Sequence, residues 1–179
     1  HLDETNALAY YLAAKAARGM KNDLQAIVML TKAIAQNEEY GAAYLLRAEV
    51  LWDMRQAKDA MDDVEKVLSL TSEDEDALLL KGKIQAALGE VNEAYASFDQ
   101  VLEVNPFNEK AVELYTEAIE LMPQNAVLYQ ERGRIRLLKG DKDGSVDDMK
   151  KAIELNPENE KQITGNYDNF KQNSAPGIY

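Results

Sequence analysis

The chain has 179 residues, 46% of them hydrophobic and 29% charged, a balance found in folded globular proteins and not in disordered ones. Its 32 acidic residues against 20 basic ones leave a net charge of -12, a field that repels phosphate backbones and anionic lipid, so no nucleic-acid partner is expected. With no cysteine and one histidine, at position 1, the composition excludes disulfides, thiol nucleophiles, Cys/His zinc sites and nearly all imidazole catalysis.

Residues 1–6 form a lead-in with neither the basic region nor the apolar core of a signal peptide. No stretch approaches the ~20 apolar residues that span a bilayer, so membrane insertion is not expected either. A cytoplasmic chain and an exported one with its signal removed would look alike here, and localisation stays open.

From residue 7 the sequence repeats itself with a period of 34, aligning 7–40 with 41–74 and 75–108. The phrase Leu121-Met-Pro123-Gln-Asn125 returns 34 residues later as Leu155-Asn-Pro157-Glu-Asn159, whereas Pro106 and Pro123 are only 17 apart. Each full unit reads as two amphipathic helices. In 75–108, apolar residues at Leu78, Leu79, Ile84 and Leu88 mark the first helix, and Gly89-Glu90 makes the turn. Val91, Ala94, Tyr95, Phe98, Val101 and Leu102 mark the second, which Pro106 stops. Gly82 and Ala94 are small where the helices would cross; Ala14, Ala48 and Gly133 match Gly82, and Ala26 and Ala60 match Ala94. No two-residue alternation competes anywhere, so the fold class is all-α.

Residues 109–125 match only a second helix, with Ala111, Tyr115, Ala118, Ile119, Leu121 and Pro123 in its positions. Either two second-type helices follow one another and the stack slips by one helix, or a segment is absent near Ala111, which fits the third position of a unit as well as the twentieth. An intact mass distinguishes these, since 17 residues weigh about 2 kDa. A full unit, 126–159, follows. After Asn159 a short capping helix is predicted, with Ile163, Tyr167 and Phe170 folded back on the last unit and 171–179 as a mobile tail.

Acidic clusters are the first candidates for chemistry. Glu73-Asp74-Glu75-Asp76 follows Ser72 at a helix start, and Ser72 with Glu75 reads as a capping box in a favourable dipole. Asp141-Lys-Asp143-Gly144 echoes a calcium loop, but its glycine comes too early and no glutamate closes it, so it reads as an inter-helix turn. Asp62-Asp63 and Asp147-Asp148 hold equivalent positions and read as a solvated face. No phosphate-binding glycine loop or nucleophile elbow occurs. No enzymatic activity, cofactor or metal is expected.

Small residues at the eighth (Ala14, Ala48, Gly82, Gly133), twentieth (Ala26, Ala60, Ala94) and twenty-seventh (Ala33, Ala152, with Val67 and Val101 in the other units) positions accompany an aromatic at the fourth (Tyr10, Tyr44, Tyr129, with Leu78 in the third unit) and proline at the thirty-second. This pattern resembles the tetratricopeptide repeat. Glu38 and Ser72 replace the proline in the first two units, and Ser145 replaces alanine in the last. The resemblance covers 7–159 and implies a right-handed superhelical solenoid of antiparallel helix pairs, about four and a half repeats long, that binds a protein or peptide without chemistry.

In that family the concave face is lined by first helices. The corresponding residues here include Tyr11, Lys15 and Arg18; Leu45, Glu49 and Trp52; Leu79 and Lys83; and Arg134. Lys15, Arg18, Lys83 and Arg134 would give this face a basic character that orients a ligand both acidic and apolar. Tyr11, Leu45, Trp52 and Leu79 would anchor it. Trp52 reads equally as core filling. The lysine and asparagine clamp with which one subset of the family holds chaperone C-termini is missing: Tyr11 and Lys15, then Leu46, then Asp76 and Leu80 stand in its places. The alternatives are a structural, self-assembling subunit that uses exposed helix edges and an accessory domain of a larger complex. Partner identity and oligomeric state lie beyond the residues.

Overall fold

Four of the inter-helix turns reverse the chain through one left-handed residue at the fifteenth position of a unit: Lys21 (φ 59°), Arg55 (φ 65°), Gly89 (φ 80°) and Gly140 (φ 87°). That conformation suits glycine and strains the two cationic residues. In the computed structural model, which describes residues 4–105, 108–165 and 168, the described residues are helical or in turns, with no strand. They divide into two units, His1–Val104 and Asn105–Tyr179. No helix among them is long and apolar enough to cross a membrane.

The first unit holds three antiparallel pairs: α1 (Glu4–Gly19) with α2 (Asp23–Gln36), α3 (Gly41–Asp53) with α4 (Ala57–Leu70), and α5 (Glu75–Ala87) with α6 (Val91–Val104). Asn22 begins α2 by accepting from the Gln25 N–H at 3.2 Å. The cap of α5 corrects the sequence expectation. Asp74, extended at ψ 110°, accepts from Ala77 N–H at 2.9 Å, while Ser72 sits in the preceding turn. An aspartate one residue before the helix reaches the free N–H groups directly, which makes the serine redundant.

Each pair closes on the next through small and aliphatic side chains. Ala14, Leu30 and Ala33 share a core with Ala43 and Leu46. Ala48, Leu51, Ala60, Val64 and Val67 continue it to Ala77, Leu80 and Ile84. In the third pair the residue that crosses Gly82 is Phe98: a Cβ at Gly82 would lie 3.0 Å from Phe98 Cζ and nearer still to two other ring carbons. Beside it, Ser97 Oγ donates to Gln85 Oε1 at 2.6 Å inside the core.

The second unit holds α7 (Ala111–Leu121), α8 (Ala126–Leu138) and α9 (Lys142–Leu155), then a 3₁₀ turn at Pro157–Asn159. Asp141 caps α9 through the Gly144 N–H at 2.9 Å, so the calcium-like tetrapeptide is a turn and cap. Ser145, in alanine's place, is buried and donates from Oγ to the Gly133 carbonyl at 2.7 Å. Residues 160–165 are helical, and Ile163 packs on Met149 and Ala152 with Tyr129 and Ile153 around them. Tyr167, Phe170 and 171–179 lie outside the described residues.

The paired aspartates are not equivalent, which corrects the reading of a solvated face. Asp62 and Asp147 are exposed, but Asp63 and Asp148 are only 5% and 3% exposed. Arg47 donates to both Asp63 oxygens, Nε and Nη2 each at 2.7 Å, and Nη1 reaches Thr31 Oγ1 on α2 at 3.3 Å. Arg132 does the same to Asp148, at 2.9 and 2.7 Å, and to Thr116 on α7 at 3.1 Å. Arg136 adds a second cation at 2.9 Å from Asp148. Both guanidinium forks tie three consecutive helices with the same 16-residue steps. Thr116 on α7 therefore stands to α8 as Thr31 on α2 stands to α3, and α7 packs as a second-type helix.

Candidate functional site

The first-type helices of the first unit, α1, α3 and α5, hold eight of the nine sequence-selected residues. Tyr11 is half-buried against the first core cluster, its ring centroid 5.3 Å from that of Tyr40 with the planes at 47°. Lys15, one turn on, places Nζ 5.8 Å from the Tyr11 centroid, a cation over an aromatic face. Tyr40, the residue before α3, was not selected from sequence; its signal is an aromatic at the last position of a unit, a place the repeat pattern leaves free. Burial, with Tyr11 nearby, raises the Tyr40 hydroxyl above its ordinary pKa. An open cavity of about 540 Å³ lined by Thr5, Ala7, Leu8, Asn37 and Tyr40 adjoins this aromatic pair.

Arg18 on α1 crosses to α3, where it pairs with Glu49 and lies 3.1 Å from Asp53. Partial burial opposes its charge, but the hydrogen bonds and charges of the two carboxylates outweigh this and raise its pKa. Its positive charge is thus answered within the fold, and the basic character expected of this face is smaller than a count of cations suggests. Leu45 and Trp52 of α3 are half-buried and pack on the core formed with α4 and α5. Trp52 thus packs at the core edge while remaining partly exposed. Leu79 lies inside, 5% exposed. Lys83 is half-buried on α5, three residues after Leu80 of the core. Arg134 belongs to α8 in the second unit, its Nε 2.9 Å from Glu131.

Rings, aliphatic groups and lysines thus lie on the first helices of this unit. Among the described residues, no group of three or more His, Asp or Glu side chains is placed to hold a metal ion.

A family model described as "Tetratricopeptide repeat" matches residues 75–108 and 126–159. No curated protein sequence matches. Among solved structures, the first tetratricopeptide-repeat domain of Spaghetti (RPAP3), bound to the HSP90 peptide SRMEEVD, is 23% identical with a TM-score of 0.64, covering 68% of this chain and 98% of that one. The Arabidopsis OM64 tetratricopeptide-repeat domain is 22% identical with a TM-score of 0.62, over 65% and 97% of the two chains. MamA is 20% identical with a TM-score of 0.57, over 87% and 94%. Segments 75–108 and 126–159 are tetratricopeptide repeats, and the chain has the all-α fold of tetratricopeptide-repeat proteins.

Proposed function

We propose that this protein is a non-catalytic interaction module that binds an extended peptide or a partner helix on the first-helix face of its first unit. The observation that carries the reading is the row of accessible rings and lysines on successive first helices: Tyr11 with Lys15 above it on α1, Trp52 and Leu45 on α3, and Lys83 on α5. Aromatic groups held rigidly by packing lose little entropy on contact, and neighbouring lysines select the charge of what they meet. The fold likeness to a domain solved with a bound peptide supports this reading. Tyr40 joins the anchors, while Arg18 acts by aligning α1 with α3 through Glu49 and Asp53. Leu79 acts from beneath, as support for the face. Arg134, in the other unit, is left out of this face.

Trp52 is the only tryptophan in the chain, so its fluorescence reports directly on this surface. The test is affinity capture from source-cell lysate with wild type and with Trp52→Ala/Lys83→Glu, followed by titration of the captured segment against Trp52 emission. Capture lost with the variant, together with an emission shift on binding, supports the reading. Equal capture by both proteins moves the site elsewhere. Binding that survives Lys15→Glu with Lys83→Glu removes the lysines from ligand selection.

A further inference from the structure

Along α2 the residues Leu24, Val28, Thr31 and Ala35 fall on one stripe of the helix, at spacings of four, three and four. All are exposed, Leu24 by 69% and Val28 by 46%. The first three of these places hold Lys58, Asp62 and Glu65 on α4, and Asp143, Asp147 and Lys150 on α9. Lys58 and Asp62 are exposed although α4 has a helix pair before it and another after it. Exposure of the stripe therefore comes from its outward place on a second helix. Its lack of charge is particular to α2 among the described second-type helices, and it leaves apolar side chains where the others present ions.

The stripe borders an open cleft of about 290 Å³ bounded by α2, α3 and α4. Ile27 and Thr31 of α2, Leu51 of α3, and Asp59 and Asp62 of α4 line it, together with the Arg47–Asp63 fork. Arg47 bonds both oxygens of Asp63, so that pair is neutral. Asp59 and Asp62 are exposed and have no ion-pair partner among the described residues. Lys32 of α2 and Lys66 of α4 lie over the rings of Tyr10 and Tyr44 and do not line the cleft. The second unit repeats the fork without this lining. Arg136 stands in the place of Leu51 and donates to Asp148, and Glu109 and Glu113 stand in the places of Leu24 and Val28. The fork thus serves packing in both units, and only the first unit sets an apolar stripe and unpaired carboxylates beside it.

We propose that this cleft docks one amphipathic helix of a partner protein, its apolar stripe on Leu24 and Val28 and its flanking lysines or arginines on Asp59 and Asp62. From Leu24 to Ala35 the stripe runs about 16 Å at 1.5 Å per residue, room for three turns of a helix laid along it. Charge selects this occupant. Anionic lipid or nucleic acid would bring the same sign to Asp59 and Asp62, and a second copy, at net charge -12, would bring mostly acids.

The probe is a fluorescein-labelled peptide of about 18 residues, leucines on one helical stripe and lysines along its flanks, stapled because so short a helix is marginal alone. A twin carries glutamate for lysine. Saturable binding of the lysine peptide to the full chain is expected, with the twin at least tenfold weaker. Leu24→Gln with Val28→Gln should weaken the lysine peptide at least tenfold, as should Asp59→Asn with Asp62→Asn. All four residues are exposed, so circular dichroism should show both variants folded. Asp143→Asn with Asp147→Asn removes the same charge from α9 and should leave binding within about twofold. Lys15→Gln with Lys83→Gln should do the same, which separates this cleft from the first-helix face proposed above. Absence of saturable binding overturns the proposal, as does equal binding by either cleft variant or an equal loss through the α9 variant. In source cells, a photo-crosslinking side chain in place of Val28 should join a basic amphipathic segment. No crosslink, or one to an acidic segment or a second copy, overturns the partner helix.

Discussion

Arg47 and Asp63, sixteen residues apart on neighbouring helices, meet through two parallel hydrogen bonds of 2.7 Å each, and Arg132 with Asp148 repeats the bond in the second unit. Removing the fork would leave a buried carboxylate without its hydrogen-bond partner, which is costly. Arg47→Met should therefore cost about 3 kcal/mol, whereas Arg47→Met with Asp63→Leu should recover most of that loss. Urea unfolding of the two variants checks it. Equal losses would mean that the pair contributes only through volume.

The same bond has a pH signature. The hydrogen bond to Asp63 raises the Arg47 guanidinium above its ordinary pKa against an opposing effect of burial. A cation raised on folding stabilises below its unfolded value and loses that contribution as pH rises through the folded one. On the arginine side, stability should be flat through neutral pH and fall only in strong alkali. A loss on the arginine side near neutral pH, followed by urea midpoints of wild type and Arg47→Met, would contradict this.

At the crossing of α5 and α6 the Phe98 ring occupies the space a side chain on Gly82 would need. Gly82→Ala should displace the ring and cost about 1–3 kcal/mol despite alanine's better helix propensity. Phe98→Leu in the same background should recover part of the cost, measured as a rise in melting temperature.

Arg55 has a left-handed backbone where the third pair uses Gly89. Arg55→Gly should stabilise by about 0.5–1 kcal/mol, because relief of strain exceeds the added freedom of the unfolded chain. Gly89→Ala should destabilise by a similar amount. Thermal unfolding of both variants measures the pair of opposite signs.

Ile163 is buried beside Met149 and Ala152 at the end of the second unit. Ile163→Ala should cost about 2–4 kcal/mol from lost burial and the cavity left behind. Hydrogen exchange should show faster opening at α9, with α1 to α4 unchanged.

The helix pairs, their turns and the small residues at their crossings were legible in the sequence, because a repeating backbone geometry imposes a repeating demand on side-chain size. The same period places Tyr11, Lys15, Trp52 and Lys83 on first helices. The state of Asp63 was not, since an aspartate on a helix reads as solvated until Arg47, on another helix, is seen to fold over it. Tyr40 escaped because the pattern leaves its position unconstrained. The burial of Leu79 and the pairing of Arg18 with Glu49 and Asp53 likewise depend on neighbours from separate helices.

The sequence by itself determined the all-α class and the 34-residue period, since these follow from local spacing. Only the tertiary structure decided that α7 packs as a second-type helix, because Ala111 suits two positions and the choice rests on Thr116 meeting Arg132. It alone showed that Leu12 is open while Leu46 and Leu80, in the same periodic place, are covered. Burial belongs to the neighbours a residue acquires, and a repeat makes identical side chains without making their surroundings identical.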